Sequence, residues 1–231
     1  MSARSIVLKM FALVVLLTVS GWHHVHAQFV HPKIKSKETT IRRVIVLPAK
    51  VNVVRDSMKG PEGMAAESDS LSTRVSQLTS EALAAKRITV LTGAMPETSE
   101  GDAQRKYTVA DIQARYDALL PKIAKKRKDV KKGRFSLGDE VLNLNLDKNA
   151  DAIVFIRGQG QKLTKGKTAF TLLVGGLPAY LQLTIGVVDA HTGEVLVFTN
   201  PLTRGDATSA GDKSLLKATE NCLKKLPPAG Q

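Results

Sequence analysis

The sequence predicts an α/β (α+β) fold, a mixed sheet of about five strands with helices packed on it, in the order β-α-β-α-α-β-β-β-α. Three observations predict it. Runs rich in β-branched residues at 44–54 and 152–156 have the composition of buried strands. Segments between them repeat their apolar residues at helical spacing. An alternating run at 180–188 then turns back through Asp189–Glu194 into a second apolar run, as a hairpin does.

Residues 1–27 set the compartment. Arg4 and Lys9 precede the apolar run Phe11–Leu17, and Val25-His26-Ala27 places small residues at −3 and −1 before Gln28. That order is a secretory signal peptide, with cleavage between Ala27 and Gln28. The apolar run is shorter than the roughly 20 residues a membrane-spanning helix needs. The segment holds two basic residues and no acid, so its removal leaves 204 of 231 residues and lowers the net charge from +13 to +11. The expected product is periplasmic or secreted, with no transmembrane span in the mature chain.

The elements follow in order. Residues 28–40 are polar, basic and aperiodic, and read as a flexible lead-in to a single domain at 41–226, with 227–231 as a tail. The strand from Val44 to Val54 is interrupted by Pro48, which has no N–H to donate and predicts a bulge or a change of edge. A loop at 56–66 leads to a helix capped by Ser68, Asp69 or Ser70, with Leu71, Val75, Leu78, Ala82 and Ala85 on one face. Ile88–Leu91 is a short strand, and 93–106 a polar loop.

Thr108 to Asp111 has capping-box spacing and opens a helix carrying Ile112, Tyr116, Leu119 and Leu120, which Pro121 ends or kinks. Lys122–Arg134 then holds eight basic residues and one acid. Ser136 caps a further helix through Val141, Leu142 and Leu144. Ala152–Ile156 is a strand covered on both faces, and Gly158–Thr168 a Gly/Lys-rich loop. Phe170–Leu177 is apolar and turn-rich, with no element assigned. In the hairpin, Asp189 and Thr192 bond the local backbone and Gly193 supplies positive φ. A last helix from Asp212 to Leu226 is stopped by Pro227-Pro228.

Three local features resemble a group of bacterial envelope domains. They are the strand Arg43–Pro48, the passage Asn149-Ala150-Asp151-Ala152 into a buried strand, and the hairpin Val188-Asp189-Ala190-His191-Thr192-Gly193-Glu194-Val195-Leu196. The group comprises the TolB N-terminal domain of the Tol–Pal system, the curli-secretion channel subunit and the lipoprotein activators of peptidoglycan synthases. The resemblance implies a non-enzymatic accessory module that works through envelope proteins. The lipidated members carry a cysteine at the mature N-terminus, where this chain has Gln28.

No residue pattern assigns a catalytic, cofactor or metal site. Gly160 to Gly166-Lys167-Thr168 has five intervening residues where a phosphate loop needs four. The only histidines beyond the signal are His31 and His191, far apart and outside any nucleophile-elbow pattern. Asp139-Glu140 reads as helix-start charge. Cys222, the single cysteine, lies in a helical apolar pattern and reads as a core thiol. The strongest surface feature is therefore Lys122, Lys125, Lys126, Arg127, Lys128, Lys131, Lys132 and Arg134. Its apolar positions are sparse, which predicts a salt-sensitive electrostatic contact rather than insertion. Aromatic residues are only 4% of the chain, which disfavours nucleic acid. The expected function is an exported accessory protein acting by protein contact in envelope assembly or secretion. The alternative is a binder of anionic lipid or wall polymer through residues 122–134.

Overall fold

The computed structural model describes residues 27–91, 109–138, 141, 149–176, 179–206, 208 and 211–230. In chain order these form β1 (Ala27–Val30), α1 (Pro32–Lys35), β2 (Arg43–Val46), β3 (Lys50–Ser57), β4 (Gly60–Gly63), α2 (Ala65–Ala85) and β5 (Thr89–Val90). The helices α3 (Val109–Lys125) and α4 (Arg127–Lys131) follow. Then come β6 (Ala152–Leu163), α5 (Lys165–Leu173), β7 (Tyr180–Asp189), β8 (Val195–Asn200), β9 (Leu202–Arg204) and α6 (Asp212–Leu223).

The architecture is the expected mixed sheet with helices on it, organised around β6. The strand order is β1-β8-β7-β6-β2-β5, with β3 pairing β6 and β4, and β9 pairing β7. β2 and β3 run parallel to β6 on one side, and β7 runs antiparallel on the other. Val46 pairs with Val154 and Lys50 with Arg157, so three residues around Pro48 face two on β6. The extra residue is a bulge at the proline, where a missing donor costs no ladder bond.

β3 has a second row of backbone donors pointing away from β6. Helix α2 covers them with serines four residues apart. Ser76, Ser72 and Ser68 Oγ accept the N–H groups of Ala49, Val51 and Val53 at 3.0, 3.0 and 2.9 Å. Each hydroxyl donates in turn to a carbonyl four residues back, Ser72, Ser68 and Met64 O respectively. From Ala49 to Val53 the edge is thus closed by side chains, and from Val54 onward by β4.

Two cores flank the sheet. On one face Leu71, Val75 and Leu78 of α2 and Cys222 and Leu223 of α6 belong to the cluster of Val51, Leu183 and Ile185. On the other, Ile112, Tyr116 and Ile123 of α3 join Ile153, Phe155 and Phe198. The Tyr116 ring stacks on Phe155 with centroids 4.4 Å apart. Gly186 permits this, because a Cβ there would lie 1.9 Å from the tyrosine hydroxyl.

Several expectations are corrected. The segment expected as a flexible lead-in forms β1, paired with β8, and α1. Phe29, His31 and Ile34 are buried, so three inward side chains fix a stretch whose composition looked solvated. Helix α2 starts at Ala65, and Ser68 is a ladder member instead of a cap. Helix α3 continues one turn beyond Pro121 and ends at Lys125. Gly158–Leu163 is not loop but the second half of β6, because pairing with β3 and β7 on both sides overrides its weak strand propensity. Ser136 sits in a bridge with Glu194 instead of capping a helix. The rest of that expected helix, residues 142–148, lies outside the described residues.

Replacing Ser72 by Ala leaves the Val51 N–H without its acceptor. The expected cost is about 1–3 kcal/mol, measured by urea unfolding. Ser80 lies one turn further along α2 and donates only to Ser76 O. Its replacement by Ala should change stability by less than about 0.5 kcal/mol.

Candidate contact surfaces

The predicted basic stretch folds as an elbow. Helices α3 and α4 meet at Lys126, and Ile123 and Val130 are buried beneath them. Lys122, Lys125, Lys126, Lys128, Lys131, Lys132 and Arg134 are exposed. The side chain of Arg127 lies outside the described ones. Asp129 lies 3.8 Å from Arg134, a long and partly exposed ion pair that neutralises little of this charge. The elbow therefore presents a concentrated positive field on a fixed backbone.

The N-terminal segment is built against this elbow. His31 is buried and caps α1, its Nδ1 accepting the Lys33 N–H at 3.1 Å. Its ring packs against the turn at Gly133. Lys33 Nζ donates to Glu194 at 2.6 Å, and this bond raises the lysine pKa. The turn it reaches is formed as its sequence requires. Asp189 Oδ1 accepts the N–H groups of His191 and Thr192, both at 2.8 Å, and Gly193 has φ +70°. The hairpin residues Asp189, Thr192 and Gly193 thus shape a turn, and His191 is exposed on it. Asp151 likewise serves the backbone, with Oδ2 accepting from Arg42 and Arg43 N–H at 2.8 Å.

A second feature lies on the sheet face beyond α3. Asn52, Gln159 and Gln182 stand in register across β3, β6 and β7. They line a groove of about 410 Å³ with Lys50, Arg157 and Thr184. Arg157 is buried at its head. The Nε donates to Asp117 at 2.5 Å, Nη1 to Ile156 O at 2.9 Å and Nη2 to Gln113 O at 3.3 Å. Those bonds pin α3 to the strand, and the groove offers neutral amides but no activated nucleophile.

The Gly166-Lys167-Thr168 triplet lies in the first turns of α5. A helix does follow β6, against expectation, but it begins at Lys165, before the triplet. Of the residues that would have to wrap a phosphate, Gly160–Leu163 are strand and Lys165 is already helix. Lys167 lies 3.6 Å from Asp56, and Thr168 Oγ1 donates to Thr164 O at 3.0 Å. Asp139 and Glu140 lie outside the described residues, as do 1–26. The predicted cleavage site Ala27–Gln28 opens β1.

Sequence reasoning missed α5. Phe170 is 49% exposed, Leu172 60%, Leu173 86% and Val174 64%, and no residue of the helix is buried. The apolar run was visible as composition, but nothing in it marks which way it faces. Among the described residues no helix is long and apolar enough to cross a membrane, and no cluster of three metal-ligating side chains occurs.

No family model matches the chain, and no curated protein matches it. Among solved structures, the PelC dodecamer of Paraburkholderia phytofirmans is similar at 12% identity and a TM-score of 0.39, over 90% of this chain and 99% of that one. A lipoprotein of Neisseria meningitidis is similar at 13% identity and 0.35, over 79% and 96% of the two chains. The C-terminal domain of LpoB from Salmonella enterica stands at 10% and 0.23, over 74% and 93%.

Cys222 is the single thiol, fully buried on the core-facing side of α6, and burial pushes its pKa up to about 12. A native thiolate is therefore absent at pH 8, and a thiol reagent should label the protein only at its opening rate. Added urea should accelerate labelling in step with unfolding. The unfolded thiol ionises near 9.0 while the native one does not, so stability should also fall as pH rises from there toward 12.

Proposed function

We propose that this chain is an exported, non-enzymatic accessory protein of the bacterial cell envelope that acts by contact with another envelope protein. The signal-peptide pattern of residues 1–27 supports the compartment. The engagement of His31, Asp151 and Asp117 in caps, strand ends and the Arg157 network supports contact over chemistry.

The elbow carries the reading. Seven exposed cations stand on helices that Ile123 and Val130 hold in place. A backbone already ordered does not have to be ordered on binding, so more of the attraction survives as affinity. Such a surface suits an acidic patch on a folded partner, where charge steers encounter and fixes register. Strand addition at the β3 edge fits less well, because Ser68, Ser72 and Ser76 occupy its donors.

A second reading rests on the same residues. With Asp129 as the only acid in Lys122–Arg134, the elbow also suits anionic lipid headgroups or wall polymer. Each lysine or arginine at such a surface adds about 1 kcal/mol.

The combined variant Lys128→Glu, Lys131→Glu, Lys132→Glu tests both. Protein purified from an exporting host is used to capture material from envelope extracts at low and high salt. A packed protein interface should survive the salt step and be lost in the variant. Phospholipid or wall polymer that leaves as salt rises favours the second reading. Equal capture by wild type and variant overturns both.

A further inference from the structure

α5 is the place among the described residues where large apolar side chains gather in solvent. Phe170, Leu172, Leu173 and Val174 are all exposed, and the other exposed large hydrophobic residue is Met58, at 67%. A helix of nine residues is too short to be stable on its own propensity. One that also buries no residue gains little from the fold, so its apolar surface points to a function outside the monomer.

Met58 belongs to the same end of the molecule. Asp56 pairs with Leu163 at the close of β6, and the Thr164 N–H donates to Asp56 O at 3.1 Å. The β3–β4 hairpin, with Met58 and Lys59 at its turn, and α5 therefore leave the sheet together. The charges around them are unbalanced. The hairpin, the end of β6, α5 and the end of β9 with the turn after it carry Arg55, Lys59, Lys162, Lys165, Lys167 and Arg204 against three carboxylates. Two of those carboxylates are already engaged, Asp56 by Lys167 at 3.6 Å and Asp206 by Lys162 at 3.4 Å.

The charge around the apolar residues selects the occupant. Successive residues are turned by about 100° in a helix, so Phe170, Leu173 and the capping Val174 share one stripe about 100° wide, with Leu172 to one side. An apolar stripe set among surplus cations suits the interface of an anionic bilayer, which accepts a short apolar tip whose lysines remain at the headgroups. We infer that α5 and the Met58 turn form a docking site for an anionic phospholipid bilayer, with Phe170, Leu172, Leu173 and Val174 entering the interface. The site stands apart from the elbow. α4 packs beside β1, near the start of β6, and the nine residue steps from Val154 to Leu163 span about 30 Å of strand.

The test is co-sedimentation of the protein, purified from an exporting host, with phosphatidylcholine vesicles containing or lacking phosphatidylglycerol. The wild type should partition onto the anionic vesicles. Leu173→Glu, at a position 86% exposed and so leaving folding intact, should weaken partitioning about tenfold or more. The elbow variant Lys128→Glu, Lys131→Glu, Lys132→Glu should bind these vesicles as the wild type does, which separates this site from the proposed function. Absence of wild-type binding, or unchanged binding by Leu173→Glu, overturns the inference. A concentration-dependent dimer that Leu173→Glu abolishes, without vesicle binding, assigns α5 to a second copy and also overturns it.

Discussion

β6 is closed off from solvent between Ala152 and Arg157 and only partly covered from Gly158 to Leu163, and this change of cover along one strand governs the rest of the molecule. The first half needs apolar layers on both faces, and α2 with α6 on one side and α3 on the other supply them. The second half outruns α3 and carries Gln159 and Gln161 on its open face. Arg157 stands at the boundary. Its guanidinium leaves the covered zone through bonds to Asp117, Ile156 O and Gln113 O, so no unpaired charge is buried where the layers end.

A strand this long also gives its neighbours long edges. The bulge at Pro48 shifts the register between β2 and β3, and the exposed donors of β3 then fall to the serine ladder of α2. Because every rung both donates and accepts, the ladder fixes the height of α2 along the strand as well as closing the edge. With that edge closed, the surfaces proposed for contact are helical. They lie toward different ends of the sheet, a cationic elbow where the cover is complete and an apolar helix where it has run out.

Much of this is legible in the sequence, for a physical reason in each case. Ala152–Ile156 announces its own burial by being apolar without a break, and the Asp189–Glu194 turn by needing Gly193 at positive φ. The paths of α2, α3 and α6 follow from helical spacing. The remainder depends on partners that are distant in the chain. β1 pairs through its backbone and shows only two large apolar side chains, Phe29 and Val30, so its composition resembles a loop. Ser68 reads as a cap candidate until β3 is beside it, and nothing within the helix marks Ser72 and Ser76 as the next rungs of a ladder. The elbow cations are readable as charge, but their rigidity comes from Ile123 and Val130 reaching a core that only the fold assembles. α5 is the hardest case, since exposure of an apolar run has no signature within the run itself.

The central claim is that this scaffold works through surfaces at two ends of one sheet. Site-specific photo-crosslinking in intact cells tests it most directly, with the reactive group placed at Lys128, at Leu173, or at Glu81 on the exposed side of α2. The account predicts a discrete envelope-protein adduct from Lys128, lipid adducts from Leu173 and neither from Glu81. A pattern in which Glu81 yields the adducts and Lys128 and Leu173 do not would contradict it.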